Sequence, residues 1–297
     1  MSWIAQLVFI GATCLLSGQA DLQCVTQSLN NDPALAQQTA PERTGEAIDV
    51  ILTADAVIVW DVASDRILYE KNPDKQRPVA SLSKLLSMLA ARAQLAPNTA
   101  VEIPTEAARA QRLGAHIRLP VGEHATVSDL LAASAIASAN DAMVTLAVAS
   151  SGSEEAFARY ASQYAKDHLG VYNTRLANAT GLSGGDQFST ARDIKTLLIA
   201  AHQDSLIGPS LSKPSEVLTT VEGTRRAYET TNDLLGTYLP IVVGKTGYTI
   251  EAGENLAVIT RGESGQQIGA VVLGSSQRFQ DMKILVEWIW RNYTWPS

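Results

Sequence analysis

The chain has 297 residues, 46% of them apolar and 18% charged, with a formal net charge of −7 and both signs interspersed. That length and apolar fraction suffice for a sizeable core, and the acidic balance excludes a nucleic-acid footprint. Four scattered histidines (His116, His124, His168, His202) and two cysteines form neither a zinc-ligand spacing nor a disulfide framework, so no metal and no cofactor is expected.

In chain order, residues 3–16 are apolar and are followed by Ser17-Gly18-Gln19-Ala20. The stretch is short for a membrane span and ends on a small-x-small site, so residues 1–20 read as a signal peptide. No lysine or arginine precedes the apolar run, which leaves an uncleaved membrane anchor as the alternative. Cys14 lies inside the leader and Cys24 beyond the cut, which leaves one unpaired cysteine. Residues 21–48 are polar, with Asn30-Asn31-Asp32-Pro33 and Ala40-Pro41-Glu42, and read as a linker. Residues 49–297 read as one globular unit.

That unit opens with Ala56-Val57-Ile58-Val59-Trp60 and Ile67-Leu68-Tyr69 about a turn at Ala63-Ser64-Asp65, a predicted β-hairpin. After Asn72-Pro73-Asp74 comes Ser81-Leu82-Ser83-Lys84, which opens the apolar run Leu85, Leu86, Met88, Leu89. A helix starting near Ser81 puts Ser81 and Lys84 on one face. Burial there would strip Lys84 of its charge and let a free amine take a proton from the serine. Alone, the spacing reads first as an N-cap serine and a snorkelling surface lysine. A second match, Ser210-Leu211-Ser212-Lys213, runs into Pro214 and reads as a loop.

Residues 106–149 are alanine-rich and predicted helical. Thr126 and Asp129 form a capping arrangement for a helix that ends near Ser138, so Ser138-Ala139-Asn140 falls between two helices. Gly152-Ser153-Glu154-Glu155 caps the next helix, with Phe157, Tyr160, Ala161 and Tyr164 as core and Gly170 as its end. Segments around Thr219–Val221 and Tyr228–Thr231 read as strands or their connections. Ile241-Val242-Val243 delivers Lys245-Thr246-Gly247 on a strand edge. Leu256–Thr260 and Ile268–Leu273 form a second hairpin, and residues 280–293 an amphipathic helix with Leu285, Trp288 and Ile289 inward. The expected fold is α+β: an antiparallel sheet flanked by helices, with an inserted all-helical lobe and the active site in the cleft between them.

Ser-x-x-Lys, Ser-x-Asn and Lys-Thr-Gly in that order are the motifs of penicillin-binding proteins and serine β-lactamases. With its flanks Asn140-Asp141-Ala142, Thr180-Gly181-Leu182, Ser189-Thr190-Ala191-Arg192-Asp193 and Lys245-Thr246-Gly247-Tyr248-Thr249, the chain resembles the D-alanyl-D-alanine carboxypeptidases. These are the low-molecular-mass penicillin-binding proteins, with a β-lactamase/transpeptidase-like fold. The resemblance implies an acyl-enzyme on Ser81, Lys84 as the proton acceptor and Ser138 as a relay to the leaving amine. It implies substrate binding by Asn140, Lys245, Thr246 and Gly247, and an oxyanion hole at the backbone N–H groups of Ser81 and Tyr248. Partners would be peptidoglycan stem peptides and, as covalent inhibitors, β-lactams. The enzyme would be exported to the periplasm or extracytoplasmic envelope, touching membrane only if the leader stays uncleaved. Arg192 and Asp193 read as a salt-bridge and N-cap element outside the site. Asn178-Ala179-Thr180 and Asn292-Tyr293-Thr294 fit the glycosylation pattern, which a bacterial wall enzyme has no reason to use.

Two departures bear on activity. Many family members carry a further β-rich domain and a C-terminal amphipathic helix, whereas this chain stops at Ser297. Carboxypeptidases also often show Asn-Arg-Asn where this chain reads Thr230-Thr231-Asn232. The reading is a carboxypeptidase that removes the terminal D-Ala, with a D,D-endopeptidase that cuts cross-links as the alternative. A β-lactamase ranks lower, because no Glu-x-x-x-Asn stands between the second and third motifs. An inactive wall-binding protein also ranks lower, because a binder need not keep the nucleophile.

Overall fold

A computed structural model describes residues 40–44 and 49–296. The stretch read as a leader, with both cysteines, and most of the linker lie outside those residues. The elements in order are strands β1 (Glu42–Arg43), β2 (Ala56–Asp61) and β3 (Ile67–Lys71), helix α1 (Lys84–Gln94), strand β4 (Ala100–Glu102), helix α2 (Thr105–Ala110) and strand β5 (His124–Thr126). Five helices follow: α3 (Val127–Ile136), α4 (Asn140–Ser151), α5 (Glu154–Leu169), α6 (Ala191–Gln203) and α7 (Ile207–Ser210). The chain closes with β6 (Ser215–Thr219), β7 (Arg225–Glu229), β8 (Ile241–Thr249), β9 (Gly253–Arg261), β10 (Gln267–Ser275), α8 (Arg278–Asn292) and β11 (Tyr293–Thr294).

The main sheet is antiparallel, in the order β3-β2-β10-β9-β8. Its central strands are covered on both faces, and their side chains alternate between two cores as the pleat requires. Ile58, Trp60, Ala257, Ile259, Val271 and Leu273 face α1, α6 and the lobe. Val57, Val59, Leu256, Val258, Ala270 and Val272 face α8 through Met282, Leu285, Val286 and Ile289. Gly269 makes room for Trp60: a Cβ there would lie 2.0 Å from the indole ring. β1, inside the segment read as linker, pairs antiparallel with β11, Glu42 opposite Thr294 and Arg43 opposite Tyr293.

The inserted lobe lies between β3 and β8 and is helical in its bulk, though not throughout. β4 pairs with β5, and β6 with β7, as two separate ribbons. The β6–β7 ribbon is built on β-branched Val217, Thr219, Thr220, Val221 and Thr224, with Gly223 at φ +95° closing its turn. The capping residues work as read. Thr126 accepts from the Asp129 N–H at 3.1 Å and Ser153 from the Ala156 N–H at 3.1 Å, each a cap of about 1 kcal/mol. Gly170 ends α5 in the left-handed conformation. α1 sits at the centre of the lobe, packed by α3, α4, α5 and α6. Its first eight residues, Lys84 to Ala91, are all buried. A helix apolar all round is an interior helix, and the lysine at its start goes inside with it.

Candidate active site

The nucleophile motif is not a plain α-helical start. Ala80–Ser83 form a 3-10 turn that feeds α1. Residues three apart eclipse in a 3-10 turn, which lines Lys84 up with Ser81 more closely than the expected α-helix would. Ala80 takes a positive φ of +50° to enter the turn. Gly181 packs so tightly on it that a Cβ would lie 2.1 Å from the Ala80 carbonyl oxygen.

Lys84 is fully buried, and its Nζ lies 2.9 Å from Ser81 Oγ, 2.7 Å from Asn140 Oδ1 and 2.7 Å from the Thr180 carbonyl. As an ammonium it donates to all three. As a neutral amine it leaves both hydrogens on the two carbonyl oxygens and turns its lone pair to the Ser81 hydroxyl. Burial first, and the charge of Lys245 second, hold its pKa well below the ordinary lysine value, against the pull of Glu154 and Asp141. Both effects shift Lys84 toward its neutral form.

The second motif sits at the corner between α3 and α4. Ser138 takes the left-handed position after α3, φ +56°, where glycine is usual. A side chain kept at such a cost points to a use for its hydroxyl. Lys245 Nζ donates to Ser138 Oγ at 2.8 Å and to its neighbour's carbonyl, that of Thr246, at 3.1 Å. Asn140 Nδ2 donates to the Leu113 carbonyl, while its Oδ1 receives Lys84, so the amide is fixed in orientation. The buried carboxylate of Asp141 accepts from the Ile117 and Leu119 N–H groups at 3.3 and 3.0 Å, which ties residues 113–119 to the same corner.

The third motif lies on β8, at the end of the sheet order, so among the described residues no strand pairs with its second edge. That edge runs past the 3-10 turn. A Cβ on Gly247 would lie 2.8 Å from the Val79 carbonyl and 3.0 Å from the Ser81 nitrogen, so only glycine allows the approach. Lys245 is buried, and its pKa is pushed down to about 7, by burial first and by Arg278 second. Thr246 shares a short hydrogen bond with the hydroxyl of Thr231. Tyr248, 61% exposed, stands at the mouth.

Ser81, Lys84, Ser138, Asn140, Lys245, Thr246 and Gly247 thus converge on one cleft between sheet and lobe, while Ser210 and Lys213 do not. Ser210 Oγ donates to the Leu206 carbonyl, and Lys213 pairs with Glu216 at 2.6 Å. Arg192 pairs with Asp74 at 2.7 Å, and Asp193 receives Asn173 N–H and Thr174 Oγ1 at 2.8 Å each, both apart from the cleft groups. Two participants went unassigned in the sequence. One is the Thr180 carbonyl, aimed by Asn178, whose Oδ1 accepts from the Thr180 and Gly181 N–H groups at 3.1 and 2.7 Å. That amide is spent on the turn, and the glycosylation pattern there is a structural coincidence. The other is Arg278 at the start of α8, whose Nη1 donates to the Gly247 carbonyl at 3.2 Å.

Residues 41–277 match the family described as D-alanyl-D-alanine carboxypeptidase. The chain belongs to this family. Among its relatives in the family's sequence space is a D-alanyl-D-alanine endopeptidase of Pseudomonas aeruginosa, 30% identical over 275 residues, covering 90% of this chain and 87% of that protein. Another is the D-alanyl-D-alanine carboxypeptidase DacC of Escherichia coli, 34% identical, covering 85% of this chain and 64% of that protein. The Streptomyces K15 DD-transpeptidase shares the fold, with a TM-score of 0.76 at 22% identity over 82% of this chain and all of that one. The chain is a serine D-Ala-D-Ala peptidase hydrolase of α+β fold. Among the described residues no helix is long and apolar enough to cross a membrane.

Proposed function

We propose that the chain removes the terminal D-Ala of peptidoglycan stem peptides through an acyl-enzyme on Ser81. The observation that carries this reading is the three-partner hold on Lys84 Nζ, which leaves a lone pair facing Ser81 Oγ. In acylation the Ser81 proton passes to Lys84, the Oγ–carbon bond forms and the peptide C–N bond breaks. The leaving amine takes its proton by way of Ser138, which Lys245 orients. Water then breaks the ester, returning a proton to Ser81 and leaving a new C-terminal carboxylate. The Ser81 and Tyr248 N–H groups would hold the oxyanion, each donor worth about 3–4 kcal/mol of transition-state stabilisation. Asn140 would meet the substrate amide, and Lys245 with Thr246 the terminal carboxylate, in the field of Arg278. β-Lactams would acylate the same serine, and the substrate's location implies export beyond the cytoplasmic membrane.

Cleavage of cross-links is the second reading, and one observation favours it. Thr231, standing where carboxypeptidases often carry an arginine, spends its hydroxyl on Thr246 and offers no cation to a free carboxylate. The name of the Pseudomonas relative points the same way. The test is to label the protein with a fluorescent penicillin, map the modified peptide by mass spectrometry, and assay D-Ala release from a diacyl-L-Lys-D-Ala-D-Ala peptide. Label on Ser81, abolished in Ser81→Ala, with D-Ala release is expected; label on Ser210 would overturn the assignment.

A further inference from the structure

Beside the cleft lies a solvent-open groove of about 420 Å³, walled by His116, Arg118, Ala137, Arg226, Tyr228 and Glu229 among others. It neighbours the catalytic corner through the chain. Ala137 precedes Ser138 in sequence, and the Thr231 N–H donates to the Ile136 carbonyl at 3.3 Å. Thr231 in turn touches Thr246, the group assigned to the leaving end of the substrate. The groove therefore lies on the leaving side of the scissile bond.

Its charge is unusual for an acidic chain. Arg226 is held by backbone carbonyls, Nε to Arg118 at 2.8 Å and Nη1 to Arg225 at 3.1 Å. Neither Arg226 nor Arg118 has an ion-pair partner among the described residues. Arg118 also takes a positive φ of +59°. Its neighbours Ile117 and Leu119 are both clamped by the buried Asp141 carboxylate, which directly follows Asn140. A strained arginine fixed from the catalytic corner is an arginine placed for use. Glu229 is the acid on this wall, and it pairs with neither arginine.

We infer that this groove is a leaving-side subsite for an acidic peptide, namely the second stem peptide of a cross-link, whose free carboxylates Arg118 and Arg226 hold. The inference rests on the D,D-peptidase reading above. The leaving group of a monomeric pentapeptide is a single D-Ala that ends at Lys245 and Thr246 and does not enter the groove. Only a cross-linked dimer carries a leaving group long enough to fill it.

The experiment compares wild type with the double variant Arg118→Gly, Arg226→Gln. Glycine accepts the left-handed backbone, and glutamine keeps an amide donor for the Arg118 carbonyl. The quantities are kcat/KM for a pentapeptide and for a cross-linked stem-peptide dimer, at low and high ionic strength, with penicillin acylation as the control. The double variant is expected to lose about tenfold on the dimer, chiefly through KM, with pentapeptide hydrolysis and acylation unchanged. Salt should slow the wild type on the dimer and leave the variant unaffected. Equal losses on both substrates, no loss on the dimer, or a wild type that cleaves only the pentapeptide would each overturn the groove assignment alone. A wild type acylated by penicillin that hydrolyses neither peptide would overturn the D,D-peptidase reading as well.

Discussion

Lys245 Nζ donates to Ser138 Oγ at 2.8 Å across a separation of 107 residues, and that bond closes the sheet onto the helical lobe. It also sets a pH dependence. With its pKa near 7, Lys245 is an ammonium below that pH and an amine above it. Capture of a substrate carboxylate needs the ammonium, so kcat/KM for a pentapeptide should fall as pH rises through about 7. Loss of the Lys84 proton, whose pKa burial and then the charge of Lys245 lower, supplies a rising limb. Lys245→Arg stays charged throughout and should remove the falling limb while the rising one remains. A falling limb that persists in Lys245→Arg would assign it to another group. The check is the kcat/KM profile from about pH 5 to about 9.

Ser138 separates strain from chemistry. At φ +56° the backbone favours glycine, by about 1 kcal/mol over a residue with a Cβ. Ser138→Gly should therefore match or exceed the thermal stability of the parent, and Ser138→Ala should fall below Ser138→Gly. Both lose the hydroxyl, and both should lose about 100-fold or more in pentapeptide kcat. Equal activity in parent and Ser138→Gly would leave the hydroxyl without a role in proton transfer. Melting curves and steady-state rates on the three proteins decide it.

Local chemistry explains which features the sequence made legible. The two hairpins, the caps at Thr126 and Ser153, and the stop at Gly170 each depend on neighbours within a few positions, and each stands in the structure where it was read. The three motifs were legible because each one is short. What held them together was not. The Thr180 carbonyl acts through its backbone and carries no side-chain signature. Arg278 reaches Gly247 from another element altogether. The 3-10 entry before Lys84 depends on Gly181 packing against Ala80, a contact between residues about a hundred positions apart. The ribbon β4–β5 was masked by the alanine-rich, helix-like composition that follows and surrounds it, whereas β6–β7 falls where the β-branched segments around Thr219–Val221 and Tyr228–Thr231 read as strands or their connections.

Gly247 and Gly269 predict opposite failures. A methyl at Gly247 would press on backbone atoms of Val79, Ser81 and Leu82, which cannot rotate away. Gly247→Ala should push β8 off the oxyanion turn and slow penicillin acylation by about 100-fold, with a modest stability loss of about 1–2 kcal/mol. A methyl at Gly269 strikes the Trp60 ring in the core between the sheet and α1, and touches none of the backbone atoms of the nucleophile turn. Gly269→Ala should cost about 3 kcal/mol or more while the folded fraction keeps its acylation rate. Denaturant melts paired with stopped-flow acylation separate the two; a Gly247→Ala enzyme that acylates at the parental rate would show that the close approach is not needed.

Thr231 bears on the choice between chain ends and cross-links. Its hydroxyl bonds to Thr246 on β8, which with Lys245 is the proposed carboxylate anchor, and a longer side chain there would project over the same place. An arginine at this position would add a charge-assisted hydrogen bond to a free D-Ala carboxylate, worth about 1.5–3 kcal/mol, or ten- to a hundred-fold. It would also crowd the passage from Thr246 to the groove at Arg118 and Arg226, through which the leaving peptide of a cross-link would pass. Thr231→Arg should therefore raise kcat/KM for pentapeptide ends and lower it for cross-linked dimers, so that the ratio moves by more than either term alone. The measurement is that ratio in parent and variant, with penicillin acylation as the test that the nucleophile is intact. A ratio that stays constant in an enzyme that still acylates would mean the terminal carboxylate does not lie beside Thr231, and the anchoring given to Lys245 and Thr246 would need to be placed elsewhere in the cleft.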